Sequence, residues 1–219
     1  MIVACWSVKG GVGTTVVAAG TALSLVDRSE RPVLLVDLAG DLPSCLGVAD
    51  PSGAGIAEWS NAGSDVPADA LERLSTPVAA GLDLLPRGAG PIEVERADLL
   101  VQLLASTGRA VVVDCGVVGA RGVCAAAAVA AQAERSVMVT RPCLLGLRRA
   151  VSAPLRPSGV VVVREPGRSL TAGDVASVIG TPVVAELAVD PAVARAVDAG
   201  LFAARLPRSF ASAVRQVAA

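Results

Sequence analysis

Seven short apolar runs, each continuous rather than alternating with polar residues, constrain the fold of this chain most strongly. Strands of this kind are typical of a parallel sheet that helices cover on both faces. The predicted strands span residues 2–7, 32–38, 82–85, 110–115, 136–140, 159–164 and 182–187. Segments with helix-compatible patterns lie between or after them, at residues 15–26, 92–106, 121–133, 144–151, 172–179 and 191–199.

The repeated order of strand then helix predicts an α/β fold in which right-handed crossovers join parallel strands. We therefore expect a doubly wound, mainly parallel sheet of about seven strands with helices on both faces. The length of 219 residues suits one such domain, residues 1–219, with a tail over about 205–219. Residues 49–67 are rich in glycine and proline and are predicted to form a loop-rich excursion.

The composition excludes several classes of protein and site. Hydrophobic residues make up 53% of the chain and charged residues 18%, which is the balance of a folded domain rather than a disordered chain. A net charge of −1 supplies no global attraction for nucleic acid or acidic lipid, so neither DNA nor a membrane is an expected partner. The sequence has no histidine, which excludes His-based triads and His metal sites.

Cysteine usage and hydropathy predict a soluble cytoplasmic protein. The five cysteines are odd in number and lack C-x-x-C spacing, as expected for small buried thiols in a reducing compartment. No charged leader precedes the first apolar run, and no apolar segment reaches about 18 residues without charges or turn signals.

Two surface patterns occur in the second half of the chain. In the tail, Phe210, Val214 and Val217 have helical spacing, and we expect them to pack on the body of the protein rather than on a membrane. Five arginines follow the later predicted strands, and we expect solvated loops there, with a DNA or partner patch as the alternative. They are Arg141, Arg148, Arg149, Arg164 and Arg168.

A glycine-rich stretch between the first strand and the first helix has the pattern of a phosphate-binding loop. Residues 5–17 read CWSVKGGVGTTVV. Gly10, Gly11 and Gly13 let backbone N–H groups converge at a helix N-terminus, where the helix dipole favours anions. The alternative is a tight strand-to-helix turn that binds nothing.

This loop departs from the common motif G-x-x-x-x-G-K-[ST]. Val8 stands at the leading glycine and Thr14 at the lysine. Lys9 is the only lysine among 19 basic residues, which indicates a geometric requirement that arginine does not meet, with chance as the alternative. The segment KGGVG-x-T resembles the deviant Walker A loop of the MinD/ParA family of P-loop ATPases, and the resemblance extends from residue 2 to about residue 200.

The resemblance implies a P-loop NTPase fold that binds ATP and Mg²⁺ and forms a nucleotide-dependent homodimer. Lys9 would reach the partner's phosphates in trans, like an arginine finger. Thr15 would bind magnesium. The residues implied in nucleotide binding are Lys9, Gly10, Gly11, Val12, Gly13, Thr14 and Thr15.

Two aspartates at strand ends match acidic positions of the same family. Asp37 ends the run VLLVD, and the resemblance implies that it belongs to the metal site. Asp37 and Lys9 are the two implied catalytic residues. Asp114 ends AVVVD, which resembles a Walker B strand whose carboxylate holds magnesium through water. Surface aspartates at strand ends are the alternative, but ligands bind at this edge of open parallel sheets.

Several departures from the family pattern concern hydrolysis and the base. Thr14 replaces a phosphate-binding lysine, and the lost hydrogen bond lowers the expected affinity for nucleotide by about 10- to 100-fold. A small residue at this position is similar to the loop of the CpaE/TadZ branch, which is associated with pilus positioning. Ala39 replaces a carboxylate that orients the attacking water, and Asp41 is the nearby candidate to substitute for it. Arg164 stands where relatives carry an adenine-reading asparagine.

These features predict an ATP- and Mg²⁺-dependent dimerising switch or scaffold for intracellular positioning, with weak or absent hydrolysis and an unknown protein partner. An active ATPase that uses Lys9 in trans is one alternative. A nucleotide-free pseudo-ATPase that binds partners is another. A dinucleotide-binding Rossmann enzyme is a weaker rival, because no third glycine follows at the required spacing.

Overall fold

An eight-stranded sheet runs through the computed structural model, which describes residues 1–50, 53–63, 67, 69–119 and 124–219. Its strand order is β3-β4-β2-β5-β1-β6-β7-β8. The strands are β1 Ile2–Ser7, β2 Val33–Asp37, β3 Thr76–Ala79, β4 Leu82–Leu85, β5 Val111–Val117, β6 Arg135–Thr140, β7 Gly159–Arg164 and β8 Val183–Ala188. The described α-helices are α1 Thr14–Leu25, α2 Leu42–Leu46, α3 Ile56–Asn61, α4 Ala70–Leu74, α5 Ala97–Ser106, α6 Ala125–Gln132, α7 Leu144–Val151, α8 Ala172–Ile179, α9 Pro191–Asp198 and α10 Arg208–Val214.

All the strand pairs are parallel except β3 with β4, which confirms the predicted mainly parallel α/β fold. Each of the seven predicted runs forms a strand. The eighth, β3, was not predicted because it is a short edge strand whose residues are exposed or half-buried. An edge strand of this kind carries no continuous apolar run, and Pro77 within it is tolerated at a sheet edge.

Short helices account for the other differences from the predicted elements. Residues 56–61 form α3 inside the stretch predicted to be loop-rich, and α2 and α4 are equally short. Helices of five or six residues are too short to show a reliable periodic pattern. The predicted helix 121–133 is described from Ala125 onward as α6, and its first three residues lie outside the described range.

Apolar residues are buried on both faces of the sheet, as the continuous runs predict. In β1, Ile2, Ala4 and Trp6 belong to one core cluster, while Val3 and Cys5 belong to the other. Because successive side chains point to opposite faces, every residue of this central strand is buried. None of the described helices combines the length and the apolar character needed to cross a bilayer.

The C-terminal tail packs against α1, which confirms the expectation for its apolar residues. Phe210, Val214 and Val217 are buried. A Cβ added at Gly20 in α1 would lie 2.4 Å from the Phe210 ring, so the absence of a side chain there creates the space for the ring. Phe210 also packs edge-on against Phe202, with 5.9 Å between ring centroids.

Phe210→Leu is expected to lower the free energy of unfolding by about 1 kcal/mol, because leucine keeps much of the buried volume but loses the aromatic pair. Chemical denaturation measures this loss. Ser212→Ala, at an exposed position of the same helix, is the matched control and should leave the stability unchanged. Equal stability of Phe210→Leu and the control would contradict the assigned packing.

A close backbone contact joins α2 to the segment after α9. Gly47 ends α2 with φ 74°, and Gly200 follows α9 with φ 65°. A Cβ at Gly47 would lie 2.2 Å from the Gly200 carbonyl oxygen, so neither the conformation nor the space admits a side chain at Gly47.

Candidate functional site

The glycine-rich loop connects the end of β1 to the start of α1 at the carboxyl edge of the sheet. Gly11 and Gly13 have φ values of 73° and 94°, and Gly13 is the N-cap residue of α1. A Cβ at either position, or at Gly10, would meet no atom within 4 Å apart from its chain neighbours. The left-handed backbone conformation therefore explains why positions 11 and 13 are glycines. The open space beside them leaves room for a ligand near the backbone amides of the loop.

Asp114 is fully buried at the end of the apolar part of β5, close to this loop. Its Oδ1 accepts a hydrogen bond of 3.0 Å from the Gly116 amide. Its Oδ2 is buried and has no hydrogen-bond partner among the described residues. Burial raises the pKa of Asp114 to about 6, although the nearby Thr15 hydroxyl and the Gly116 amide lower it.

Asp37 occupies the register position opposite Asp114 in the neighbouring strand β2. Its Oδ1 accepts hydrogen bonds from the amides of Ala39 at 3.0 Å and Gly40 at 2.6 Å, and its Oδ2 accepts one from Leu42 at 3.2 Å. Burial raises the pKa of Asp37, and these three amides oppose the rise. The carboxylate therefore organises the turn into α2 whatever else it binds.

The remaining loop residues differ in exposure. Lys9 is half-buried and has no ion-pair partner within the described parts of the chain. Thr14 is buried as the first residue of α1, whereas Thr15 is half-buried beside Asp114. The Ser7 hydroxyl lies 3.2 Å from the carbonyl oxygens of both Lys9 and Gly116, which ties the loop to the end of β5.

A cleft of about 490 Å³ opens beside Asp37 and Asp114, and its lining includes Ala39 and Asp41. Ala39 packs so closely on Gly116 that a Cβ there would lie 2.9 Å from the Ala39 methyl group. Asp41 is exposed and its charge raises the pKa of both buried aspartates. Asp41 thus lies in the same cleft as Ala39, close enough to both buried aspartates for its charge to act on them.

Two further clefts share a wall on the opposite side of the loop. The smaller, of about 220 Å³, is mainly apolar and its lining includes Val12, Val16 and Phe210. The larger, of about 560 Å³, lies over the ends of β7 and β8. Ala188 and Val189 line both clefts. A concave, mainly apolar cleft with a few polar groups at its edge has the character of a small-molecule site.

An ionic cluster lies where these two clefts meet. Arg141 lines the smaller cleft and donates a hydrogen bond to Glu165, which lines the larger one. Arg168 also donates to Glu165, at 2.8 Å from Nε and 2.5 Å from Nη2. The hydrogen bond from Arg168, the charge of Arg141 and, more weakly, that of Lys9 hold the pKa of Glu165 below its ordinary value.

The expectation of solvated arginines is correct for Arg148 and Arg149, which are exposed, but wrong for Arg141. The Arg141 side chain is only 30% exposed, and its Nε is buried without a hydrogen-bond acceptor among the described residues. The sequence shows that Arg141 directly follows the buried strand β6. It does not show the ion pair with Glu165, which depends on the order of the strands in the sheet.

Comparison with solved structures identifies the fold. A ParA family ATPase from Chlorobium tepidum TLS aligns with a TM-score of 0.77 at 23% identity, over 98% of this chain and 96% of its own. This chain has the fold of the ParA and MinD proteins. A chain of the MinC:MinD cell division protein complex of Aquifex aeolicus aligns with a TM-score of 0.79 at 20% identity, over 99% of this chain and 93% of its own.

The MinD protein of Pyrococcus horikoshii OT3, solved with Mg-ADP, aligns with a TM-score of 0.74 at 21% identity, over 99% of this chain and 93% of its own. At these identities the ParA/MinD likeness is one of fold. No family model matches the sequence, and no curated protein matches it either.

The residues around Asp114 fit a magnesium ion only in part on their own. A buried carboxylate oxygen without a partner and a neighbouring threonine hydroxyl are suitable hard ligands. The described residues contain no group of three or more His, Cys, Asp or Glu side chains that could hold a metal. Most ligands of a magnesium ion here would therefore come from phosphate and water, as is usual for magnesium with nucleotides.

Proposed function

We propose that the protein is a single-domain, ATP- and Mg²⁺-binding switch that dimerises with nucleotide and positions a partner in the cytoplasm. The observation that carries this proposal is the open glycine loop, whose ligand space adjoins the unpartnered Oδ2 of Asp114 and the Thr15 hydroxyl. The fold shared with ParA and MinD proteins, one of them solved with Mg-ADP, supports it.

Each residue of the proposed site has a role that follows from its place. The backbone from Gly10 to Thr15 binds phosphate oxygens through its amides. Asp114 and Thr15 would hold Mg²⁺, and the ion would neutralise negative charge on the phosphate oxygens. Asp37 keeps the turn after β2 in place through its three backbone contacts, beside the metal site.

Hydrolysis is expected to be slow or absent, because two groups that assist phosphoryl transfer are replaced. Thr14 cannot supply the charge of a lysine, and Ala39 cannot orient water. A working ATPase, in which Lys9 acts in trans and Asp41 orients the water, is the second candidate, favoured by the position of Asp41 in the adjoining cleft. The small residue at position 14 supports a pilus-associated role of the CpaE/TadZ type.

The proposal is tested by light-scattering mass measurements without nucleotide, with ADP and with a non-hydrolysable ATP analogue, alongside phosphate release from the same sample. A dimer that forms only with the analogue, with little phosphate release, supports the switch. Release that rises with protein concentration favours the ATPase. If neither the mass nor the melting temperature changes with nucleotide and magnesium, the remaining hypothesis is a nucleotide-free module that binds partners.

Lys9→Ala is expected to weaken the analogue-induced dimer by about tenfold, because a charge-assisted hydrogen bond across the interface is lost. The Kd for nucleotide on the monomer should change less. Arg28→Ala, an exposed cation beyond the far end of α1, is the matched control. Equal dimer strength in both variants would show that Lys9 does not act across the interface.

A further inference from the structure

The ionic cluster beside the apolar cleft has no role in the function proposed so far. Arg141 and Glu165 directly follow β6 and β7, which are neighbours in the sheet, so the carboxyl edge brings the two side chains together. Arg141 lines the apolar cleft that begins at Val12 and Gly13 of the phosphate-type loop. A base attached to a phosphate on that loop would therefore lie within this cleft, with the cluster at its rim.

No carboxamide is available to read a base in this position. The whole chain contains one asparagine and three glutamines, and none of them lines either cleft. Asn61 donates to backbone carbonyls at Ala57 and Pro91, and Gln132 donates to Asp98. A carboxamide is the side chain that pairs with adenine on two atoms at once, at N6 and N7.

We propose that the Arg141–Glu165 pair reads the base and that the site accepts guanine nucleotides at least as well as adenine nucleotides. Guanine presents acceptors at O6 and N7, which match guanidinium donors, and donors at N1 and N2, which match a carboxylate. Adenine offers that carboxylate only its N6 donor. The inference rests on the proposed function, because it requires a nucleotide on the loop.

The state of both groups suits this readout. The lowered pKa of Glu165 keeps its carboxylate ionised at neutral pH, so that it accepts hydrogen bonds and donates none. The Arg141 side chain is 30% exposed and lines the cleft, so part of its guanidinium group remains available to a ligand there. Arg168 holds Glu165 from the solvent side through two short contacts.

The test compares Kd values of ATP, GTP and ITP, each with Mg²⁺, by titration calorimetry on the full chain. GTP is expected to bind at least as tightly as ATP. If both edges of guanine are read, the Kd of GTP should be about fivefold lower than that of ATP. ITP keeps O6 and N1–H but lacks the N2 amine, so it should lie between them. This comparison needs no variant and is independent of any folding defect.

Glu165→Gln is expected to reduce the GTP-to-ATP preference by about fivefold, because an amide can donate to as well as accept from a base. Glu186→Gln is the matched control, since Glu186 lines the larger cleft but pairs with the exposed Arg164, and it should leave the preference unchanged. An equal change of both Kd values in Glu165→Gln would overturn the base-reading role.

The outcomes separate this inference from the proposed function. Binding of ATP with a measurably higher Kd for GTP would overturn the inference and leave the proposed function standing. Failure of every nucleotide to bind would overturn both. The inference is supported if the Kd of GTP is equal to or below that of ATP and if Glu165→Gln, but not Glu186→Gln, reduces the preference for GTP. The Arg141–Glu165 pair would then be the specificity determinant.

Discussion

Replacement of Asp114 by asparagine is expected to raise the free energy of unfolding of the nucleotide-free protein at pH 8 by roughly 2 to 3 kcal/mol. Burial raises the pKa of this carboxyl from 3.8 to about 6, so the folded state binds the proton more tightly than the unfolded state. The stability that protonation provides is complete below about pH 4 and is lost as pH rises through about 6. Asparagine stays neutral and avoids this loss.

The pH dependence supplies the internal control for Asp114→Asn. Urea denaturation at pH 8 and at pH 4.5 should show a large difference between variant and wild type at pH 8 and a much smaller one at pH 4.5. The Gly116 amide can still donate to the asparagine Oδ1, so the backbone turn at the end of β5 is retained. A variant less stable than wild type at pH 8 would contradict the assigned cost of burying this charge.

The same substitution is expected to remove stabilisation by ATP and magnesium. At a ligand concentration of 100 times the Kd, the free energy of unfolding of the wild type should rise by about 2.7 kcal/mol. If Asp114 holds magnesium as proposed, its replacement removes the buried carboxylate ligand, and most of this gain should disappear. A variant that is more stable alone and no longer responds to the ligand would show that wild-type stability is reduced by a charge required for binding.

Thr14→Lys is expected to lower the Kd of ATP by about 10- to 100-fold, which corresponds to a new charge-assisted hydrogen bond to phosphate. Position 14 is the first residue of α1 and directly follows Gly13, where an added Cβ would meet no atom within 4 Å. Titration calorimetry with the full chain measures the gain.

Thr14→Met is the matched control for length and flexibility without charge, and it should bind ATP no more tightly than wild type. Equal affinity of the lysine and methionine variants would show that no phosphate lies within reach of this position. Because Thr14 is buried, melting temperatures of both variants without ligand must be compared first.

The sheet was predictable from sequence because strands buried on both faces must be apolar at every position. This is the pattern of β1 and of the first four residues of β7, all of which are buried. The edge strand β3 escaped prediction because its exposure permits polar residues and a proline.

The site was partly predictable for a related reason. Parallel strands end at one edge, so Asp37 and Asp114 could be placed side by side from their positions alone, and the register pairs them directly. The three amides that bind Asp37 depend on the path of the loop after β2, which no pattern specifies. The contact of Arg141 with Glu165 depends on the strand order, since 24 residues separate them.

The glycine contact between α2 and the segment after α9 connects the turn that holds Asp37 to one wall of the apolar cleft. Gly47 lies at the end of the helix whose first amide binds Asp37, and Gly200 follows the helix that lines the apolar cleft. Because neither glycine carries a side chain, the two backbones touch directly, and a change in the path of either segment requires an adjustment of the other.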